Sequence, residues 1–198
     1  MPRVPFFEIV RGARRTGTDS VEALDGDPVR GRLMVVGNPN VGKSVLFSKL
    51  TGKYVVVSNY PGTTVEISRS RACFGGIPYE VIDTPGMYSL RPLSDEERVG
   101  RALLLREHAD IVLHVVDAKN LERMLGFTTQ LIEAGLPVIL AINMMDEAEK
   151  VGLTIDSERL GRELGIPVVE TVATTGLGLD RLKEILNEYA GAAAVSAA

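Results

Sequence analysis

This sequence has very little cysteine, few histidines, little net charge and no long apolar run. A single cysteine, Cys73, stands among 198 residues, so no internal disulfide can form and a reducing compartment is expected. The only histidines, His108 and His114, belong to no Cys/His cluster, which argues against a zinc site. No apolar run nears the roughly 20 residues that a bilayer-spanning helix needs. The start, Met1 to Glu8, has no signal-peptide hydrophobic stretch. The chain is therefore expected to be soluble and cytoplasmic. A net charge of −4 gives no reason to expect a nucleic-acid partner. The length suits one well-packed domain.

One motif stands out in what is present. Gly37-Asn38-Pro39-Asn40-Val41-Gly42-Lys43-Ser44 fits G-x-x-x-x-G-K-[ST]. It follows the β-branched-rich run Leu33-Met34-Val35-Val36 and precedes the helix-spaced Val45, Leu46, Phe47 and Leu50. That strand–loop–helix context is what a phosphate-binding loop requires. Backbone N–H groups between Asn38 and Val45, those of every residue but Pro39, approach the phosphates, aided by the positive end of the helix. Lys43 reaches the β- and γ-phosphates, and the Ser44 hydroxyl ligates Mg²⁺. The plain alternative, a tight glycine turn, does not account for the whole pattern.

Elsewhere strands and helices alternate. Strands are expected at 32–37, 65–73, 78–83, 110–116, 137–142 and 167–172, and helices at 43–51, 95–107, 120–134, 157–164 and 179–189. The runs at 111–116 and 138–142 are continuously apolar, the mark of strands covered on both faces in a mostly parallel sheet. Ser94 and Glu97 read as a capping box, and Asp95, Glu96 and Glu97 as a solvated helix start. The sum is a three-layer α/β fold with a six-stranded sheet and ligands at the carboxyl ends of its strands. Three segments are expected: an arm at 1–31 (flexible, or a short hairpin against the domain), a domain at 32–190, and a frayed Ala/Gly-rich tail or cut linker at 191–198.

Three further motifs fall past strand ends. Asp83-Thr84-Pro85-Gly86 fits D-x-x-G: the carboxylate holds Mg²⁺ and the Gly86 N–H approaches the γ-phosphate. Asn143-Met144-Met145-Asp146 offers Asp146 to guanine N1–H and N2–H₂ together, a pair that adenine lacks, so GTP and GDP are the expected ligands. Asn143 braces neighbouring loops. Val172-Ala173-Thr174 supplies backbone N–H groups for guanine O6. Between the phosphate loop and Asp83, the polar stretch Gly52 to Thr64 reads as a switch loop. Within it Thr64 binds Mg²⁺ and the γ-phosphate, with Thr63 as the competitor shifted by one residue. For each motif alone, a polar loop is the plain alternative; their order in one chain is what carries weight.

That order resembles the translation-factor-related GTPases. Asn59-Tyr60-Pro61-Gly62-Thr63-Thr64-Val65-Glu66, Asp83-Thr84-Pro85-Gly86-Met87-Tyr88-Ser89-Leu90 and Asn143-Met144-Met145-Asp146-Glu147-Ala148 are similar to the G domain of the ferrous iron transport protein B (FeoB) family. The similarity covers about residues 32–190. Tyr60 stands where that family usually has Trp, and Thr84 where it often has Leu. Met144 departs from the lysine of the general GTPase motif but is FeoB-like.

The resemblance implies a Ras-like P-loop GTPase fold and the hydrolysis of GTP. It also implies a membrane permease part outside this chain, a place at the cytoplasmic face of the membrane, and room for an oligomer. Asn40 stands where related GTPases use an asparagine to bind K⁺, a charge beside the phosphates that would act like an arginine finger. Lys43, Thr64, Gly86 and Asn40 are thus the catalytic candidates. Met87 occupies the position of the water-orienting glutamine of many GTPases and has no useful hydrogen bond to give, so turnover is expected to be slow. A GTPase of ribosome or RNA maturation, or a guanine-nucleotide switch with negligible turnover, are the competing readings.

Overall fold

The computed structural model describes residues 28–51 and 55–196. The expected arm at 1–31 lies, except for its last four residues, outside the described residues, as do Gly52, Lys53 and Tyr54. The strands are β1 (Gly31–Val36), β2 (Val55–Asn59), β3 (Glu66–Phe74), β4 (Ile77–Asp83), β5 (Ile111–Asp117), β6 (Val138–Asn143) and β7 (Val168–Glu170). The helices are α1 (Lys43–Leu50), α2 (Asp95–Arg106), α3 (Leu121–Glu133), α4 (Met145–Lys150), α5 (Ser157–Leu164) and α6 (Leu179–Ser196). A single 3₁₀ turn, Ala118–Asn120, precedes α3.

The strands form one sheet in the order β2-β3-β4-β1-β5-β6-β7. Strands β4, β1, β5, β6 and β7 run parallel, and β2 and β3 form an antiparallel edge. The side chains of β1 alternate between two cores. Leu33 and Val35 pack with Leu46 and Phe47 of α1 and Leu182, Ile185 and Leu186 of α6. Met34 and Val36 pack with Val99, Leu103 and Leu104 of α2 and Phe127 and Leu131 of α3. Helices therefore cover both faces, which is why β5 and β6 are mostly apolar and almost wholly buried. Each such fully buried aliphatic side chain stabilises the fold by roughly 1.5–3 kcal/mol.

The sheet has seven strands, not the six expected. The addition is β2, which lies inside the stretch read as a loop. All five of its residues are exposed, so no alternation of apolar and polar residues betrays it. Its β-branched Val55-Val56-Val57 pair with Ser70, Arg69 and Ser68 of β3. Two helix readings also change. Helix α4 is not among the helices expected above, and α6 runs to Ser196 because Gly191 onwards is mostly alanine, the best helix former.

Candidate functional site

The carboxyl ends of β1, β4, β5 and β6 meet around one loop. Between Val36 and Lys43 the chain turns sharply, with Gly37, Asn40 and Gly42 at φ 144°, 63° and 92°. Gly42 precedes α1 without any side-chain cap, so the first N–H groups of the helix stay open to a ligand. No side chain fits at Gly42 in any case, because a Cβ there would collide with the Asn143 amide.

Lys43 is buried and donates from Nζ to the Asn38 carbonyl at 2.9 Å. Burial lowers its pKa, and the nearby Asp83 charge opposes that shift. The Ser44 hydroxyl donates to Asp83 Oδ2 at 2.6 Å. Burial raises the Asp83 pKa, opposed by the Ser44 hydrogen bond and the Lys43 charge. The other Asp83 oxygen, Oδ1, is buried with no partner among the described residues. An orphaned carboxylate oxygen beside a serine hydroxyl is a hard-oxygen donor set, and it fits Mg²⁺.

Asn143, at the end of β6, ties three segments together. Its Nδ2 donates to the Val41 carbonyl at 2.9 Å, and its Oδ1 accepts from the Thr171 hydroxyl at 3.1 Å and the Ala173 N–H at 3.0 Å. The brace read from sequence is thus present. It also means that the Ala173 N–H is already taken. Val172, Thr175 and Gly176 donate to backbone carbonyls, which leaves the Thr174 N–H without an acceptor among the described residues. Asp146 lies in the first turn of α4, partly exposed, with Lys150 Nζ at 3.4 Å.

The D-x-x-G segment leans on the phosphate loop. A Cβ at Gly86 would sit 2.7 Å from Pro39 Cγ, and the Met87 N–H donates to the Gly37 carbonyl at 3.0 Å. The Met87 side chain is fully buried and faces Gly100 of α2. It therefore does not face the phosphate site. The Thr84 hydroxyl donates to Val35 O at 2.9 Å, which satisfies it although it is buried.

Thr64 lies elsewhere. Residues 60–65 form the turn of the β2–β3 hairpin, closed by Tyr60 N–H to Val65 O at 2.8 Å. In that turn Thr63 supplies the bonding hydroxyl, which donates to Tyr60 O at 3.0 Å and accepts from the Val65 N–H at 3.2 Å. Thr64 is exposed, makes no hydrogen bond among the described residues, and lines a cavity of about 510 Å³ against Asp95, Arg98 and Ala102 of α2. The structure does not bring it to Ser44 and Asp83. The Arg69 guanidinium is committed to Glu107 at 2.7 and 2.9 Å and to Glu80 at 3.2 Å.

Two buried titratable groups were not legible. Glu97 is only 6% exposed and, besides closing the capping box with Ser94, accepts from the Tyr88 N–H at 3.1 Å and the Leu93 N–H at 2.6 Å. These bonds, that from Leu93 foremost, lower its pKa, so it is no part of a solvated run. The capping-box pattern was its only signal. His114 lies beneath the site, with Nδ1 3.1 Å from Thr128 Oγ1 and its ring edge-on to Phe127. Burial, reinforced by the Lys43 charge, pushes its pKa down to about 3. No group of three or more metal-ligating His, Cys, Asp or Glu occurs among the described residues.

Known proteins match this arrangement. The family model described as ferrous iron transport protein B matches residues 31–186. The FeoA/FeoB fusion protein of Porphyromonas gingivalis is 48% identical over 156 residues, which cover 78% of this chain and 18% of that protein. The Fe(2+) transporter FeoB of Escherichia coli K12 is 42% identical over 161 residues, 78% of this chain and 21% of that protein. The chain thus spans about a fifth of the length of the curated relatives it matches. Among solved structures, the G domain of T. maritima FeoB superposes with a TM-score of 0.74 at 42% identity, covering 81% of this chain and 98% of that one. The cytosolic domain of L. pneumophila FeoB gives 0.75 at 39% identity, covering 80% and 68%. A P-loop GTPase fold with an intact phosphate loop, matched along most of its length in sequence and structure, identifies the chain as a member of the ferrous iron transport protein B family, in the region of that family's G domain.

Proposed function

We propose that this chain binds GTP and GDP and hydrolyses GTP slowly, as the cytoplasmic regulatory part of a ferrous iron transporter whose permease lies outside it. The observation that carries the reading is the cluster of Lys43, Ser44 and Asp83, with the Asp83 oxygen that lacks a partner. In this reading Lys43 exchanges the Asn38 carbonyl for phosphate oxygens, and open N–H groups at the start of α1 cradle the phosphates. Ser44 and Asp83 hold Mg²⁺, which when bound offsets charge on the phosphate oxygens. Thr64 joins them only by leaving its hairpin turn. The Gly86 N–H approaches the γ-phosphate from the segment packed on Pro39.

Slow turnover follows from Met87, which is buried and apolar where a water-orienting group would be needed. Asn40, exposed on the phosphate loop in a left-handed conformation, is the residue we assign to K⁺, whose charge would compensate for the absent arginine finger. Buried Met87 equally suits a switch with negligible turnover, and single-turnover hydrolysis in K⁺ and Na⁺ separates the two. Faster turnover in K⁺ that is lost in Asn40→Ala supports the hydrolase; negligible turnover in both salts supports the switch. Base preference rests on Asp146. Asp146→Asn is expected to weaken GDP and favour xanthine nucleotides, and unchanged GDP affinity would remove Asp146 from the site.

A further inference from the structure

The residue that holds Asp146 in place comes from outside the N-x-x-D motif. Asp146 sits in α4, a helix of six residues with Met144 at its N-cap (φ 64°) and no side-chain cap. A helix this short and uncapped does not hold its own geometry in water. It needs fastening, and besides the Met145 N–H, which donates to the Thr171 carbonyl at 3.3 Å, two side-chain fastenings are visible. Asn143 anchors the residue before the N-cap to Val41, Thr171 and Ala173. On the other side, Ala148 of α4 is buried in the same core cluster as Ala118, and Lys119 Nζ donates to Glu147 Oε2.

Lys119 is itself well placed. Its N–H donates to Asp117 Oδ1 at 2.9 Å, and Asn120 Nδ2 donates to Asp117 Oδ2 at 2.7 Å. The turn at 118–120 is thereby locked to the end of β5, a central strand. Three carboxylates, Asp117, Asp146 and Glu147, come together here, with Lys119 and Lys150 as their cations. Lys119 thus brings an ammonium to the first turn of α4, beside the Asp146 carboxylate.

We infer that Lys119 is a positioning residue for guanine recognition: by pinning Glu147 it fixes the first turn of α4, so that the neighbouring Asp146 carboxylate meets the base. This rests on the reading of Asp146 as the guanine contact. The hydrogen bond to Glu147, and then the charges of Glu147, Asp117 and Asp146, raise the Lys119 pKa, so the cation persists at any physiological pH.

The test compares GDP with IDP, whose base keeps N1–H but lacks the N2 amino group, on the full chain. Lys119→Ala is expected to raise the GDP dissociation constant about fivefold, the scale of one exposed ion pair, and to lower the GDP-over-IDP preference about threefold. Glu147→Ala should do the same, the double variant no more than either, and the charge swap K119E/E147K should restore the preference. An ion pair that served only the surface would change GDP and IDP binding alike, so an unchanged preference in Lys119→Ala overturns the inference. A loss in Lys119→Ala with none in Glu147→Ala also overturns it, because Lys119 would then act on the nucleotide itself. Asp146→Asn serves as the control: if it keeps full GDP affinity, the underlying reading of the base site fails instead.

Discussion

The phosphate loop is held by contacts from distant segments, whereas the 60–65 turn, packed on the core only through Tyr60 and Val65 at its two ends, is held by its own local bonds. Around the loop, Asn143 bonds Val41, Lys43 is buried on Asn38, and Gly86 packs against Pro39. The turn has Tyr60 bonded to Val65, the Thr63 hydroxyl, and a strand whose five residues are all exposed. A region over-determined by tertiary contacts stays put; one held by a few local bonds opens at small cost. The contrast separates a phosphate loop fixed by distant segments from a turn with few ties beyond itself.

The most damaging way to break the contrast is to cut the scaffold. Asn143→Ala leaves the Val41 carbonyl and the Ala173 N–H buried without partners. It should cost about 3 kcal/mol of stability, at 1–3 kcal/mol per orphaned group. Chemical denaturation would measure this, and a loss below about 1 kcal/mol would show that Asn143 is no brace. Gly86→Ala comes next. Its Cβ would lie 2.7 Å from Pro39 Cγ, so the segment must lift from the loop. Single-turnover hydrolysis should fall about 100-fold, equivalent to roughly 2.7 kcal/mol, while GDP binding changes little.

Protons probe the scaffold as well. His114 is depressed from 6.5 to about 3 in the folded chain. Below its ordinary pKa the unfolded chain takes up a proton that the folded chain refuses. The associated stability is therefore fully present above about pH 6.5 and drains as pH falls towards 3, by about 2 kcal/mol at pH 5. His114→Gln should flatten that limb of the curve. The smallest effect belongs to the turn. Thr63→Ala removes the hydroxyl bonds to Tyr60 and Val65 and should cost roughly 0.5–1 kcal/mol, seen as faster hydrogen exchange in residues 60–65 with little change in the global melt.

What could be read in advance follows the same division. The phosphate loop, Asp83 and Asn143 were legible because their chemistry needs fixed residues at fixed spacing beside strands whose apolar runs announce burial. Strand β2 was hidden because an edge strand exposed on all five residues has no buried face to give it a period. Helix α4 is too short for helical spacing to show. The bonds from Tyr88 and Leu93 to Glu97, and from Lys119 to Glu147, join partners whose meeting only the fold decides.

Met87 and Gly100 close the account of why this site lacks a glutamine. A Cβ at Gly100 would come within 2.8 Å of Met87 Cγ, so the two positions are sterically interlocked. Along a mutational path neither is free to change first. Glutamine at 87 would bury an amide among apolar neighbours with nothing to bond, and alanine at 100 would expel the methionine. Even Met87→Ala, harmless to any polar role, opens a cavity and should cost about 2–5 kcal/mol in stability. Glutamine at 87 is thus not reached from this sequence by one substitution; the helix behind the residue would have to be rebuilt with it.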